Sequence, residues 1–533
     1  MTGSFRHWVG FFVALAVLNI GLSFHNIWPT PWITVRPEIS MEIAALIVFL
    51  GIYQRFFGTP SNRMLTGLAA ILVVLVLGRY MEVTAPALFG RRINLYWDTQ
   101  YVPDVAAMLA QSAPLYLTVA VIVFVPLLLV ILYFSLYWSL KRLREILALP
   151  GPARWISASM ACLVALYFVS YYGSASTLSW FSIPLYQTYA QQVDFVRTAF
   201  DAEAAIAGIA EDSPIESIDP GLLAGDDLIV TFVESYGAFA FDDTAVAAIL
   251  EQSRIELADS IVSTGRRSLS AFVTAPTFGG ASWLSHASFM TGLNISSNAA
   301  YNVLLTQSRP TLASILAGSE YRSVALMPGL KNLWPEGAFY GFDAIYGADD
   351  LGYAGPSFGW WSIPDQYSLA MLDQLELGQR DRTPVFVFFP TISTHMPFRP
   401  TPPYQTDWQR IVSEQPYTQL NLGDYLNALP DYSNLSPDYA AVLDYTYSYW
   451  SGYLRESAER EFLLLLIGDH QPPAAVSGEE VRWDVPVHVV TRDSALADRL
   501  LESGFVPGLE PAPAAVAEMY AVSYTHLRAH ETS

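Results

Sequence analysis

The chain of 533 residues is 52% hydrophobic and only 14% charged, a balance typical of membrane spans joined to a water-exposed folded part. Its formal net charge of −21 excludes the basic surface that a nucleic-acid partner requires. The single cysteine, Cys162, lies in an apolar run, which excludes a disulfide framework, a thiolate metal cluster and a cysteine nucleophile in the polar part.

Five apolar stretches in the first third of the chain predict five membrane spans, because each approaches or exceeds the ~20 residues that cross a bilayer. These stretches are Trp8–Phe24, Met41–Phe57, Met64–Val83, Ala113–Leu140 and Trp155–Tyr172. The first follows Arg6 and lacks a small-residue cleavage site, so we expect a retained anchor. Basic residues concentrate on alternate loops, which predicts a cytoplasmic N-terminus and an extracytoplasmic chain after Tyr172.

Arg79 and Glu82 lie three residues apart near the outer end of the third predicted span. An ionisable pair inside a membrane segment is by default a functional hypothesis. The alternative is that both side chains reach out to the membrane interface and only anchor the span. The sequence leaves both interpretations open.

Residues 173–225 are polar and are predicted to form a connector after a transmembrane domain at 1–172. Beyond Gly225, short apolar runs alternate with amphipathic stretches that have helical spacing, such as Thr311–Ala317 and Tyr367–Leu377. This alternation predicts an α/β domain with a mostly parallel central sheet at 226–521. Residues 522–533 continue no strand or helix pattern, and we expect them to be a non-native tail whose histidines take no part in a site.

Polar residues follow three of the predicted buried strands at the point where each strand ends. Glu234 follows Leu228–Val233, His395 comes shortly after Val385–Phe389, and the pair Asp469 and His470 follows the run that starts at Phe462. In an α/β sheet the ligand site lies beyond the carboxyl ends of the strands. Glutamate, aspartate and histidine are a workable ligand set for a divalent cation, so the sequence predicts a metal site at this edge.

Ser282 follows the flexible pair Gly279 and Gly280 and opens an apolar run of helical length. A hydroxyl at a helix start lies among unpaired backbone N–H groups, where it is well placed to attack a phosphate or sulfate group and to add an oxygen to the metal site. The alternative is an ordinary serine cap after a glycine turn. Ser285 and Ser288 share its helix face at i, i+3 spacing.

Four motifs occur in a fixed order along the chain: Glu234 after a strand, the Gly-Gly-Ala-Ser282 turn, Ser-Thr-His395-Met-Pro-Phe and Gly-Asp469-His470. In this order they resemble the motifs of the lipoteichoic acid synthase and phosphoglycerol transferase group. Phosphoethanolamine transferases are close relatives, and all belong to the alkaline phosphatase and sulfatase superfamily. The resemblance extends to the predicted spans and covers nearly the whole chain. It implies a sulfatase-like catalytic domain on the periplasmic or extracellular side of a bacterial inner (plasma) membrane.

Carried over to this chain, the resemblance implies that Ser282 is the nucleophile, at a position where the transferases usually have threonine. It further implies that Glu234, Ser282, Asp469 and His470 bind one divalent ion, Mn²⁺, Mg²⁺ or Zn²⁺. His395 corresponds to a histidine that contacts the transferred phosphate or the leaving group, and an imidazole there can give a proton to that group. The resemblance implies that Trp334 lies in the substrate pocket, and Lys331 and His286 are further candidates for substrate binding.

Two departures from the family pattern concern the residues that contact phosphate and the sulfatase signature. The histidine and arginine that often flank the pocket tryptophan are absent around Trp334, where Lys331 either replaces them or is a solvated loop residue. The sulfatase signature is also incomplete, because Leu284 and His286 stand where conversion to formylglycine needs proline and arginine. The resemblance therefore implies a phosphotransferase that moves a phospho-head group from a membrane phospholipid to an envelope glycan or lipid. A sulfate or phosphate ester hydrolase on the same site is the alternative.

Overall fold

A computed structural model gives the fold of most of the chain. The residues that it describes are 2–28, 30–103, 106–107, 115–173, 179–200, 215, 218, 223, 225–331, 334–359, 363–379, 381–417, 420–478 and 481–525. The packing separates two compact units, one formed by Met1–Leu88 with Arg92–Arg197 and the other by Phe89–Arg91 with Thr198–Ser533. About half of the predicted connector at 173–225 lies outside the described residues. Of the predicted tail at 522–533, only residues 522–525 are described, and they belong to the helix Met519–Thr525 instead of following no helix pattern. Both boundaries stay predictions.

The N-terminal unit is helical, as its long apolar stretches predict. Its helices are α1 (Thr2–Ser23), α2 (Met41–Phe57), α3 (Asn62–Phe89), α4 (Leu115–Leu147), α5 (Pro150–Gly173) and α6 (Leu185–Phe200). Two three-residue strands, β1 (Phe24–Asn26) and β2 (Ile33–Val35), form an antiparallel pair between the first two helices. Short helical turns occupy Leu95–Asp98 and Thr99–Tyr101.

Three helices among the described residues have the length and apolar composition of a membrane span. They are Asn62–Phe89, Thr118–Leu147 and Gly151–Tyr172. Helix α1 has 22 residues and includes the apolar stretch His7–Ser23, whereas α2 has 17 residues, fewer than the ~20 that a span needs. The prediction of five spans is therefore supported for three helices and not confirmed for the other two.

Arg79 is completely buried within the N-terminal unit rather than extended towards an interface. Its Nε donates to the carbonyl of Phe24 at 2.9 Å, and its guanidinium forms an ion pair with Glu82 at 3.1 Å. His25 lies 3.5 Å from the same guanidinium and bonds to Glu38 at 2.8 Å. Two of these contacts, from Arg79 to Phe24 and to His25, join α3 to β1, so the cluster has a structural role.

The C-terminal unit is built on a nine-stranded sheet. Its strands are β3 (Asp227–Val233), β4 (Arg267–Thr274), β5 (Arg322–Leu326), β6 (Ala344–Tyr346), β7 (Val385–Pro390), β8 (Phe462–Gly468), β9 (Asp484–Thr491), β10 (Val506–Pro507) and β11 (Ala515–Glu518). The spatial order is β10-β4-β9-β8-β3-β7-β5-β6, with β11 also paired to β4. Strand β3 therefore lies at the centre, between β7 and β8.

The sheet is mixed: five of its eight described strand pairings are parallel, in agreement with the predicted mostly parallel sheet, and three are antiparallel. The half that contains β8, β3, β7, β5 and β6 is parallel throughout. Strand β9, however, runs antiparallel to both β8 and β4, and β10 runs antiparallel to β4. The strands that precede the predicted site residues all belong to the parallel half, so their carboxyl ends lie at one edge.

Helices cover both faces of this sheet. They are α7 (Thr244–Ser263), α8 (Ser282–Thr291), α9 (Asn298–Leu305), α10 (Leu312–Ala317), α11 (Asp365–Leu372), α12 (Ser436–Glu456), α13 (Ser494–Glu502) and α14 (Met519–Thr525). A π-helical turn at Asp373–Leu377 extends α11, and short helical turns occupy Phe239–Asp242, Gly337–Tyr340, Trp408–Ile411, Leu422–Leu426 and Ala474–Ser477.

Alternate residues of β3 enter two separate hydrophobic cores. Ile229 and Val233 pack with α7 and α12, whereas Val230 and Phe232 pack with α8, α10, α13 and α14. Because successive side chains of a strand point to opposite faces, a central strand with helices on both sides must be apolar throughout. Val522 of α14 is buried in the second core.

Candidate functional site

Glu234 and Asp469 come directly after two neighbouring parallel strands. In the register of β3 and β8, Val233 is paired with Gly468, so the next residue of each strand lies at the same level of the sheet edge. His470 follows immediately on the second strand and is buried together with Asp469. Carboxylate or imidazole atoms of these three residues all lie within 4.8 Å of one another.

The backbone around these strand ends is packed too tightly for side chains at some positions. A Cβ at Gly468 would lie 1.8 Å from the carbonyl oxygen of Tyr236. Ser235 has a φ of 58°, an uncommon conformation for a residue other than glycine. This turn directs the N–H of Ser235 to Asp469 Oδ1 at 2.8 Å, and the N–H of His470 donates to the same oxygen at 2.7 Å. The other carboxylate oxygen of Asp469 faces the imidazole of His470.

Ser282 is the first residue of α8, and its hydroxyl does not cap the helix. The capping position belongs to Ala281, which has a φ of 63°, and the preceding Gly279 and Gly280 also have positive φ values of 64° and 142°. Three successive residues in this region turn the chain sharply, which is why the glycine pair is needed. The Ser282 hydroxyl instead donates to Glu234 Oε2 at 2.9 Å and lies 3.2 Å from His470 Nε2.

The neighbouring serines on the same helix face have structural partners. Ser285 Oγ donates to the carbonyl of Asp469 at 2.5 Å, which ties α8 to the end of β8. Ser288 Oγ donates to the carbonyl of Leu284 one turn earlier. Both side chains are buried, whereas Ser282 is partly accessible. Of the three hydroxyls, the structure therefore brings only that of Ser282 to the carboxylates.

The tautomer of His470 follows from its second ring nitrogen. Nδ1 lies 2.8 Å from the carbonyl of Gln471, which can only accept, so Nδ1 carries the proton. In the neutral ring, Nε2 then presents a lone pair to Ser282, whereas in the protonated ring it donates towards Glu234 Oε1, which is 3.4 Å away. Burial opposes a charge on this ring, but Asp469 and Glu234 raise the pKa of His470 to about 9.

The two carboxylates respond in opposite directions. Burial and the nearby charge of Glu234 raise the pKa of Asp469 well above its usual range. Burial also acts against ionisation of Glu234, yet the charge and hydrogen bond of His470 hold the pKa of Glu234 below its usual value. Two buried carboxylates beside one imidazole thus need positive charge in their midst. Either a proton on His470 or a bound cation supplies this positive charge.

The donor set fits a divalent cation. Glu234, Asp469 and His470 offer oxygen and nitrogen atoms without thiolates, and Ser282 adds a hydroxyl oxygen at the same place. The hydrogen bond from Nδ1 of His470 to a backbone carbonyl is the arrangement that orients metal-binding histidines. Mn²⁺, Mg²⁺ and Zn²⁺ all accept mixed oxygen and nitrogen ligands, so the donor atoms do not choose among them.

His395 lies in the segment that follows β7, and β7 is the strand next to β3. Its Nδ1 is 2.7 Å from the carbonyl of Met396, which leaves Nε2 as the proton-accepting nitrogen of the neutral ring. The ring is close enough to Glu234 for its charge to lower the pKa of that carboxyl. The same segment approaches Glu234 directly, because the N–H of Glu234 donates to Thr391 Oγ1 at 3.1 Å.

Sequence reasoning missed Thr391 and also Asp365, the first residue of α11. Asp365 is buried and accepts hydrogen bonds from the N–H groups of Ile392 and Ser393, both at 2.9 Å. Burial raises the pKa of Asp365 to about 6. No local signal marks this residue, since an aspartate at a helix start is common and its partners lie 27 and 28 residues later.

The three predicted substrate-binding residues occupy different surroundings. The His286 ring lies against Phe232 and Phe388, with centroids 4.6 and 5.3 Å away; its Nε2 is buried without a hydrogen-bond partner among the described residues. Burial lowers the pKa of His286 to about 3. Trp334 stacks on Tyr340 with centroids 5.4 Å apart.

Lys331, the last of the three, is partly buried and directly precedes residues outside the described part of the chain. Burial lowers the pKa of Lys331. Substrate binding by Lys331, Trp334 and His286 stays a prediction.

Solved structures similar to this chain include a protein of the alkaline phosphatase superfamily from Vibrio parahaemolyticus, 18% identical over 52% of this chain and 65% of its own, with a TM-score of 0.34. The lipoteichoic acid synthase LtaP from Listeria monocytogenes is 12% identical over 52% of this chain and 69% of its own, with a TM-score of 0.32. The phosphoglycerol transferase GacH from Streptococcus pyogenes, solved with sn-glycerol-1-phosphate, is 11% identical over 62% of this chain and 90% of its own, with a TM-score of 0.35.

The chain thus spans slightly less than two thirds of the Vibrio structure. No curated protein matches the sequence. Residues 266–480 match the sequence model of the sulfatase family, a segment that contains Ser282, His395, Asp469 and His470. This part of the chain is therefore similar to the sulfatase family, in line with the resemblance seen in the sequence.

Proposed function

We propose that this protein is a membrane-anchored, metal-dependent phosphotransferase that moves a phospho-head group, of the phosphoglycerol or phosphoethanolamine type, from a lipid donor to an envelope glycan or lipid. One observation carries the proposal: the Ser282 hydroxyl points into the cluster of Glu234, Asp469 and His470 instead of capping its own helix. A side chain in that position is placed for attack on phosphorus rather than for helix stability.

Glu234, Asp469 and His470 would hold one divalent ion, with Ser282 as a further oxygen ligand. Such an ion would supply a lower pKa for the serine hydroxyl and would neutralise negative charge on the attacked group. The chain's own residues prepare this site without it. Two backbone N–H groups hold one oxygen of Asp469, and a backbone carbonyl fixes the ring of His470.

In the first step, Ser282 Oγ forms a bond to the phosphorus of the lipid phosphodiester, and the bond from phosphorus to the diacylglycerol oxygen breaks. The serine hydroxyl proton leaves along its hydrogen bond towards Glu234 Oε2. The departing oxygen takes a proton from the protonated ring of His395, so diacylglycerol leaves as a neutral alcohol. The product is a phospho-head group esterified to Ser282.

In the second step, an acceptor hydroxyl attacks the same phosphorus and displaces Ser282. His395, now neutral, takes the proton of the acceptor hydroxyl, because Nε2 is its free nitrogen when Nδ1 bonds to Met396. The serine oxygen regains the proton that Glu234 received in the first step, and the acceptor leaves with the head group. If water takes the place of the acceptor, the same steps give a hydrolase.

The position of the catalytic unit is part of the proposal. A lipid donor stays in the bilayer, so an enzyme that uses it gains from helices that hold it at the membrane. Three helices of the N-terminal unit have the length and composition for that role. We place residues 226–521 on the periplasmic or extracellular side of a bacterial inner membrane, where envelope acceptors are found.

The test uses the full chain in detergent with Mn²⁺ and labelled phosphatidylglycerol or phosphatidylethanolamine, with and without a glycan acceptor. Quenched protein should carry a phosphoglycerol or phosphoethanolamine adduct that peptide mass spectrometry locates at Ser282. Ser285→Ala is the matched control, because Ser285 lies one turn along the same helix and bonds only to backbone. An adduct in Ser282→Ala, or its absence from the wild type with both lipids, would contradict the proposal. Release of free head group without acceptor labelling would favour the hydrolase.

A further inference from the structure

The N-terminus of α11 is a buried polar platform beneath the segment that carries His395. Asp365 and Gln366 are its first two residues, and neither side chain is accessible to solvent. Fully buried aspartate and glutamine side chains are uncommon unless their polar atoms are satisfied. Here the side chains of both residues bond to the segment 392–405, while the backbone N–H of Gln366 donates to the hydroxyl of Tyr445 in α12.

Asp365 holds the start of that segment with three hydrogen bonds. Its two carboxylate oxygens accept separately from the N–H groups of Ile392 and Ser393, both at 2.9 Å. In return, the N–H of Asp365 donates to Ser393 Oγ at 3.3 Å. Because each oxygen serves a different donor, only a group with two acceptors can satisfy both N–H groups.

Gln366 holds the end of the same segment. Its Nε2 donates to the carbonyl of Gln405 at 2.5 Å, and the N–H of Gln405 donates back to Gln366 Oε1 at 3.0 Å. The amide thus pairs with one backbone residue as a neighbouring strand would. Between the two attachments lies the loop with His395, and Arg399 in that loop donates to Asp438 of α12 at 2.7 Å.

We propose that Asp365 and Gln366 are positioning residues that fix the loop 393–405 so that His395 faces the Ser282 site. The inference rests on the proposed function, in which His395 supplies a proton to the leaving oxygen. A general acid must lie within hydrogen-bond reach of that oxygen, and a displacement of about 1 Å costs on the order of 100-fold in rate. A loop without such attachments would let the ring move by more than that.

The test compares two substrates that differ in their need for a proton. Phosphatidylglycerol releases an alkoxide that must be protonated, whereas a p-nitrophenyl phosphodiester of glycerol releases a stable phenolate. Asp365→Asn replaces one acceptor oxygen with a donor, and Gln366→Met removes both bonds while keeping the side-chain length. Each variant should lower turnover of phosphatidylglycerol by about 10- to 100-fold, and turnover of the p-nitrophenyl ester by less than about 3-fold.

Asp227→Asn is the matched control. Asp227 is also a buried carboxylate that accepts a backbone N–H of β7, from Val385 at 2.9 Å, but it does so at the opposite end of the strand. It should lower thermal stability while affecting both substrates equally. Equal losses for both substrates in Asp365→Asn, or no loss at all, would overturn the inference.

A second measurement does not depend on activity. Modification of His395 by diethylpyrocarbonate, followed by peptide mass spectrometry, should be at least about 3-fold faster in Asp365→Asn than in the wild type and in Asp227→Asn, because the ring is released from its packed position. An unchanged rate would overturn the positioning role. A wild type that turns over neither lipid would instead contradict the proposed function, and the modification rates would still report on the loop.

Discussion

The C-terminal unit contains a second serine–histidine contact, between Ser270 and His488. Substitution of His488 tests whether this histidine has only a structural role. His488 on β9 is buried, with Nδ1 2.6 Å from Ser270 Oγ and Nε2 2.8 Å from the hydroxyl of Tyr236. Ser270 donates its own proton to the carbonyl of Gly508 at 2.6 Å. Nδ1 must therefore be the donor to Ser270, and Nε2 accepts from Tyr236, so the neutral ring is fully satisfied.

The magnitude follows from the pKa of this ring. Burial, with a contribution from the charge of Arg254, lowers the pKa of His488 from 6.5 to about 3. The unfolded chain therefore binds a proton below pH 6.5 that the folded chain refuses until about pH 3. Stability is fully present above the unfolded value and is lost as the pH falls, at about 1.4 kcal/mol per pH unit. Between about pH 7 and pH 5 the loss is about 2 kcal/mol.

The assay measures chemical unfolding of the wild type and of His488→Gln in the same detergent across this pH range. The glutamine variant should be less stable at neutral pH, and the gap between the two proteins should narrow by about 2 kcal/mol at about pH 5, because glutamine does not titrate. Phospholipid turnover by His488→Gln should fall by less than about 3-fold, whereas His470→Gln should abolish it. A gap that stays constant with pH would refute the reasoning, and loss of turnover in His488→Gln would place this histidine in the reaction.

Three further predictions concern the site and the membrane unit. Asp469→Ala should lose both Mn²⁺ retention and turnover, because it removes one of two buried carboxylates. Metal analysis after gel filtration measures the retained Mn²⁺. Full activity of the chelator-treated variant would contradict the metal site. Ser282→Thr should keep partial turnover, since threonine retains the hydroxyl, and the same threonine should carry the mass-spectrometric adduct; a threonine variant as inactive as Ser282→Ala would count against a hydroxyl nucleophile. Reporter fusions after Lys141 and after Tyr172 should report opposite sides of the membrane; reports from the same side would contradict the predicted topology.

Much of the site could be predicted because its residues directly follow apolar strands. Glu234 and Asp469 are recognisable from local sequence, since a buried parallel strand must be apolar and its first polar residue marks the sheet edge. The glycine pair before Ser282 is a local signal of the same kind, because only a sharply turned backbone needs it. The sequence also indicated that the chain would divide into an apolar helical part and an α/β part.

The direction of β9 and the role of Asp365 could not be predicted in this way. A strand of eight residues such as β9 has the same composition whether it pairs parallel or antiparallel, and only its partners β8 and β4 decide the direction. Asp365 meets Ile392 and Ser393 through the packing of α11 against the chain beyond β7. Such contacts join segments that are distant in sequence, so no local pattern contains them.

The sequence by itself determined which residues are candidates for chemistry: a hydroxyl, two carboxylates and an imidazole at element ends, on a chain with apolar helices. Only the tertiary structure decided what Ser282 does with its hydroxyl, because the choice between capping α8 and bonding Glu234 depends on where β3 ends. The tertiary structure also decided that His470 lies in the site and that His488 is buried in the core. In the sequence both are single histidines, one just after a strand and the other within a strand, and only the residues packed around them differ. Local composition sets the available groups, and long-range packing sets the distances at which they act.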